Sequence, residues 1–349
     1  MAEDLDRRTY DILRLIDAHG PIGSIRLVDL LQRYGYSIKG RTVRLILSEL
    51  DDAGLTEKIP GKGRKLTEAG RSELGRGDVS GRLEQVRERI ATLTSRVTYD
   101  PLEDAGEVIA CAAHVPRSNL EGALESLASL SRTPLAPVLV AVEDDAADAP
   151  PGTARLLVPS SITLGGILLS RGIENDLKTA GLVEYHPDPD PSEVPYGGGA
   201  DPDRGGTVLR YVDAISGKFS TMDVVSLLIG AGRTTVRRTV AGNHPGLFVV
   251  DYREFPLTRY EETRDLSLDA RANLGGVLDV RRPRENGPFP RSAPGWEFAS
   301  LTYGGIGETA ISLLAEEGCV DSWTTLHGLV PRAAFESVRV VRAERGPDG

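Results

Sequence analysis

The 349-residue chain has little of several residue types that usually announce a function. Its two cysteines, Cys111 and Cys319, are too few and too far apart for a disulfide framework or a paired-spacing zinc site, and each reads as a small buried apolar residue. Its five histidines, His19, His114, His186, His244 and His327, are scattered and form no HExxH pair, which leaves no metal ligand set to predict. Aromatic residues make up 5%, too few for a surface that stacks single-stranded bases. No apolar run reaches the ~18 residues of a membrane span, and no charged, apolar, small-residue leader opens the chain, so a cytoplasmic protein is expected. P-loop, nucleophile-elbow and dinucleotide fingerprints are missing as well. The Gly run after Tyr196 neither follows a strand nor opens a helix. With these signatures absent, neither a catalytic residue nor a cofactor is expected.

Charge of one sign is scarce too, and unevenly so. Residues 1–78 hold fourteen Lys or Arg against thirteen Asp or Glu, leaving twenty-seven against thirty-eight in residues 79–349, so the net charges are +1 and −11. An acidic protein keeps its cations at one end, where they suit a polyanion. Residues 23–70 there read as helix, turn, helix and basic hairpin. Ile25, Val28 and Leu31, with Leu27 and Leu30, give the first helix an apolar face, with Ser24 to cap it and Gly35 to end it. Val43, Ile46, Leu47 and Leu50 give the second helix a buried stripe, while Lys39, Arg41, Thr42 and Arg44 start its outward face. Side chains near the N-terminus of a recognition helix reach base edges in the major groove. Residues 55–59 and 65–67 pair as a wing around Pro60 to Arg64, with Lys62, Arg64 and Lys65 at its tip. A helix over 5–18 and a short helix after Thr67 complete a winged helix-turn-helix over 1–78, which binds double-stranded DNA or, alternatively, protein.

Residues 79–100 form a linker helix. Leu83, Val86, Ile90, Leu93 and Val97 follow a heptad spacing that either pairs two subunits or packs on the next domain. From 104 to 345 strands and helices alternate. The order strand (106–113), helix (117–130), strand (137–143) suggests a parallel crossover, and so a larger α/β domain with a mixed sheet in an α+β protein. After the apolar strand 154–158 come Ser160, Ser161 and Thr163, with Gly165-Gly166 and Arg171 behind. Hydroxyls and backbone N–H groups there can hold a small anion whose carboxylate pairs with the arginine, or the stretch is a Gly-rich turn capped by serine. Residues 184–206 read as a long loop, 259–272 as a charged surface helix, and Gly304-Gly305 as a glycine turn opening the helix 308–317.

In order of parts the chain resembles the NrpR family, archaeal repressors of nitrogen-assimilation genes. The likeness runs through the winged helix, PSSITLGGILLSRGI (159–173), DYREFP (251–256) and YGGIGETAISLLAEEG (303–318). It departs at Ser160, where the family often has cysteine, and after Gly172-Ile173, where it has proline. The resemblance implies a homodimeric repressor that leaves a palindromic operator when 2-oxoglutarate fills the C-terminal domain. It makes Ser161, Thr163, Arg171 and Arg253, with Ser160 and Gly305, the residues expected to hold that dicarboxylate. The competing expectation is a small-molecule enzyme with a winged-helix appendage, betrayed by a pocket with a perturbed acid or base.

Overall fold

A computed structural model describes residues 7–33, 36–77, 79–144, 146, 149–188, 206–216, 224–285, 295–320 and 322–345. The chain divides into two compact units, Met1–Gln85 and Val86–Gly349.

The first unit is built from α1 (Arg7–His19), α2 (Ser24–Arg33), α3 (Gly40–Asp52), the hairpin β1 (Thr56–Ile59) and β2 (Gly63–Leu66), and α4 (Glu68–Gly77). Helical spacing places Ile12, Leu13 and Ile16 of α1 and Val43, Ile46, Leu47 and Leu50 of α3 in one core with Leu27 and Leu31 of α2. The expected face of α2 is rotated. Leu27 and Leu31 carry it, Val28 and Leu30 are half-buried, and Ile25 in the first turn is 82% exposed. Gly35 lies outside the described residues. The hairpin pairs Thr56 with Leu66 and Ile59 with Gly63. The Thr67 hydroxyl accepts the Gly70 N–H at 3.0 Å, capping α4 as its sequence suggests.

Helix α5 (Val79–Thr94) crosses the unit boundary. Within the second unit Leu93 and Val97 are buried in its main core, with Val86 and Ile90 packed against it. The Val86 to Val97 part of the heptad stripe is therefore an ordinary packing face, and Val97 lies beyond the helix end. Then follow β3 (Glu107–Pro116), α6 (Leu120–Leu130), β4 (Leu139–Glu143), β5 (Thr153–Pro159), α7 (Ile162–Ser170) and β6 (Asp176–His186). Next come β7 (Thr207–Ser216), α8 (Val224–Gly230), α9 (Val236–Gly242), β8 (Gly246–Pro256), α10 (Tyr260–Leu274), β9 (Val277–Arg281) and β10 (Phe298–Gly304). The chain closes with α11 (Ile306–Glu316), β11 (Ser322–Pro331), β12 (Glu336–Ser337) and α12 (Val338–Arg345).

Two five-stranded sheets result, ordered β11-β3-β5-β4-β12 and β7-β6-β8-β10-β9. Every pairing among the described residues is antiparallel, so the mixed sheet expected from the sequence does not form. Strands β3 and β4 do run the same way, but β5 lies between them and pairs with both. The expected crossover is a split one.

The second unit is also an internal duplication. The run β3, α6, β4, β5, α7, β6 recurs as β8, α10, β9, β10, α11, β11, and the last strand of each run pairs in the sheet of the other. This exchange carries α7 and α11 into the middle of the unit. Residues 162–168 of α7 and 306–314 of α11 are buried without interruption, as helices enclosed on all sides must be. Gly165 and Gly166 thus belong to a helix rather than a turn. An added Cβ at Gly165 would stand 2.6 Å from an Arg253 nitrogen, and at Gly166 2.4 Å from the Val97 side chain, so close packing overrides their weak helix propensity. Likewise α10 is no surface helix throughout, since Tyr260, Thr263, Leu266, Ser267, Ala270, Arg271 and Leu274 line a buried face.

Candidate functional site

Two regions gather the residues singled out by sequence. In the first unit α3 starts at Gly40 behind Lys39, whose side chain makes no capping bond, while its carbonyl accepts the N–H groups of Thr42 and Val43. Lys39, Arg41 and Arg44 are exposed and Thr42 is half-buried; the Arg44 Nε donates to the Gly40 carbonyl at 3.1 Å. This helix end presents the positive pole of its dipole together with three cations. Lys62 is exposed in the hairpin turn. The other two wing cations are committed elsewhere in the unit. Arg64 donates from Nε to Asp51 at 2.8 Å, fastening the wing to the end of α3, and Lys65 pairs with Glu57 across the hairpin at 2.6 Å. Lys58, exposed and directly opposite Arg64 in register, is a wing cation that the sequence reading passed over.

In the second unit the N-termini of α7 and α11 meet. The Glu308 carboxylate, in the first turn of α11, is buried against Ser160 and Ser161, the residues just ahead of α7. It accepts the Ser160 hydroxyl at 2.7 Å, the Ser161 N–H at 3.0 and 3.1 Å on its two oxygens, and the Ser161 hydroxyl at 3.0 Å. The Ser161 hydroxyl also lies 3.1 Å from Asp251 Oδ2. One hydroxyl proton cannot serve both carboxylates, so this geometry calls for a proton on one of them. Burial, and then the Asp251 charge, push the Glu308 carboxyl up to about 7, against the pull of the serine donors. Arg253, one pleat from Asp251 on β8, has Nη2 3.4 Å from Asp251 and donates from Nη1 to Asn175 at 2.8 Å, while its Nε is buried without a hydrogen-bond partner. Gly305 allows the two helix ends to approach. A Cβ there would lie 2.6 Å from the Ser161 nitrogen and 2.7 Å from a Glu308 oxygen.

Ser160, Ser161, Arg253 and Gly305 are thus brought together, and Asp251, Asn175 and Glu308 join them. Thr163 is not at the cluster: its buried hydroxyl accepts the Ile109 N–H at 3.0 Å and donates to the Ile109 carbonyl at 3.2 Å, tying α7 to β3. Arg171 lies past the far end of α7, about 15 Å along the helix from Ser161, and pairs with Asp100 at 2.7 Å. Among the described residues no three His, Cys, Asp or Glu side chains gather as a metal would need.

The duplication separates packing from chemistry here. Matching Pro116 of β3 to Pro256 of β8 sets Cys111 and Ala113 against Asp251 and Arg253. Matching the helix starts sets Gly305 against Ser161. At each matched position one copy has a polar residue and the other a small apolar one, with Asp251 and Arg253 supplied by the second copy and Ser161 by the first. The polar set is not required by the fold.

Residues 2–74 match the ribonuclease R winged-helix domain, and residues 83–190 match the NrpR regulatory domains NRD1 and 2. The global nitrogen regulator NrpRI of Methanosarcina mazei is 26% identical over 326 residues, covering 91% of this chain and 94% of that protein. The global nitrogen regulator NrpR of Methanocaldococcus jannaschii is 35% identical over 97 residues, 28% of this chain and 18% of that one. A crystal structure of a nitrogen repressor-like protein from Methanococcus jannaschii shares the fold with a TM-score of 0.52 and 17% identity, covering 72% of this chain and 97% of that one. Head and body together define an α+β protein in which a winged helix precedes an NrpR regulatory domain. Over most of its length the chain is similar to NrpR nitrogen regulators, and residues 83–190 match their regulatory domains.

Proposed function

We propose that this chain is a DNA-binding transcriptional repressor of nitrogen-assimilation genes, working as a cytoplasmic homodimer and released from its operator by 2-oxoglutarate. The names of its relatives support the nitrogen role, and the cations at the start of α3 and on the wing suit an operator. The observation that carries the effector half is the polar cluster at the junction of α7 and α11, to which both copies of the duplication contribute. A ligand carboxylate would take the place of Glu308 as acceptor for the Ser160 and Ser161 donors, and Arg253 would answer the second carboxylate. Such a ligand releases DNA only by favouring an arrangement of the dimer in which the heads no longer fit the two half-sites.

The raised pKa of Glu308 also favours a second reading, an enzyme that uses it as a general acid or base. Against this, the carboxylate is 2% exposed and engaged by the donors of Ser160 and Ser161. Gel shifts of the full chain on DNA from upstream of its own gene and of nitrogen-assimilation genes separate the readings. A retarded complex that dissolves in millimolar 2-oxoglutarate is expected. A complex indifferent to the ligand removes the effector half, and no complex at all removes the repressor.

A further inference from the structure

The geometry points to Leu45 as a base-reading residue that contacts the 5-methyl group of a thymine in the major groove. This rests on the reading of the head as a binder of duplex DNA. Leu45 is 60% exposed on a helix whose other large apolar side chains, Val43, Ile46, Leu47 and Leu50, are buried. At 100° per residue it stands nearly opposite that buried stripe, one turn beyond Arg41 and one turn before Ser48, with Arg44 beside it. The charge of α3 is divided along its length. Lys39, Arg41 and Arg44 flank its first half, and Glu49, Asp51 and Asp52 occupy its last turn. An anionic partner therefore meets the half that carries Leu45. Duplex DNA combines an anionic rim with an apolar group inside the groove, and in the major groove that group is the thymine methyl. Arginines at positions 41 and 44 are placed for phosphates or guanine, so the leucine next to them supplies what a cation cannot, discrimination of thymine from the other bases.

The test uses the full chain and a duplex selected by it from a random pool. Affinity is then compared on that duplex and on a copy with deoxyuridine in place of thymine, which removes only the methyl. Wild type is expected to bind the deoxyuridine copy about fourfold more weakly per half-site, the value of one buried methyl group. Leu45→Ala is expected to lose a similar factor on the thymine duplex and nothing further on the deoxyuridine copy, with an unchanged melting temperature. The inference is overturned if Leu45→Ala discriminates the two duplexes as wild type does, or if the selected duplex has no thymine in its half-sites. It is equally overturned if the substitution alters self-association and leaves DNA affinity intact, which would make Leu45 a protein contact. Failure of wild type to enrich any duplex would instead defeat the DNA-binding reading itself.

Discussion

Arg253→Met is expected to destabilise the second unit by about 3–5 kcal/mol, the usual cost of leaving a buried charge without its partner. Arg253 and Asp251 are 3% exposed each, and the arginine is the cation that an ion pair places beside Asp251. Methionine fills much of the volume but takes this cation away from Asp251, which stays beside a second buried acid, Glu308. It also strands the Asn175 side-chain oxygen, which now accepts from Nη1 at 2.8 Å. For a unit of this size the loss corresponds to a fall in melting temperature on the order of 10 °C. Calorimetry of Arg253→Met, with Asp251→Asn added to it, separates charge from packing. The double variant is expected to recover part of the loss, because the buried carboxylate that faced Arg253 is gone. A single variant melting within a degree or two of wild type would mean that the ion pair holds nothing together.

Glu308 makes stability depend on pH in the direction opposite to most carboxylates. Its pKa rises from 4.5 in the unfolded chain to about 7 in the fold, so between those values the folded state holds a proton that the unfolded state has lost. Stability is then complete below about pH 4.5 and falls as pH rises through 7, by roughly 3 kcal/mol from this group alone. Glu308→Gln keeps the shape, and its amide carbonyl still accepts from Ser160 and Ser161, but it cannot ionise. Urea unfolding at pH 5 and pH 8 should show wild type weakening by roughly 2–3 kcal/mol more than the glutamine variant over that interval. Parallel behaviour of the two proteins would show that the proton required between Asp251 and Glu308 resides elsewhere.

Where local pattern decides structure, the sequence was enough. The 3.6-residue period put Val43, Ile46, Leu47 and Leu50 on one side of α3, and Thr67 was recognisable as a cap because its role is met within three residues. Ile25 was misplaced because one short helix offers two overlapping apolar stripes, and only packing chose Leu27 and Leu31. Strand β6 escaped notice because Asp176, Lys178 and Glu184 interrupt its apolar pattern, and its partners β7 and β8 follow it in the chain at a distance. Strand β11 pairs with β3 from the far end of the unit. Both belong to an exchange between two halves that no local window contains. For the same reason β5 could not be seen to part β3 from β4. Within the site, Ser160 and Ser161 were legible as hydroxyls at a strand end and Gly305 as part of a glycine turn, while Arg253 came from family likeness. Asp251 was available two residues from Arg253 on the same strand face, and Glu308 three residues past Gly305, but their meeting depends on two helix ends brought together by the exchange.

The proposed sensor role rests on the polar cluster where the two copies meet, and Ser161, which touches both buried acids, is where that proposal is most exposed. Fluorescence anisotropy of a labelled operator held by wild type and by Ser161→Ala, titrated with 2-oxoglutarate, tests it directly. Both proteins should hold the DNA equally well without ligand, and the alanine variant should require at least tenfold more 2-oxoglutarate for release. Release of both at the same concentration would place the effector elsewhere and contradict the assignment.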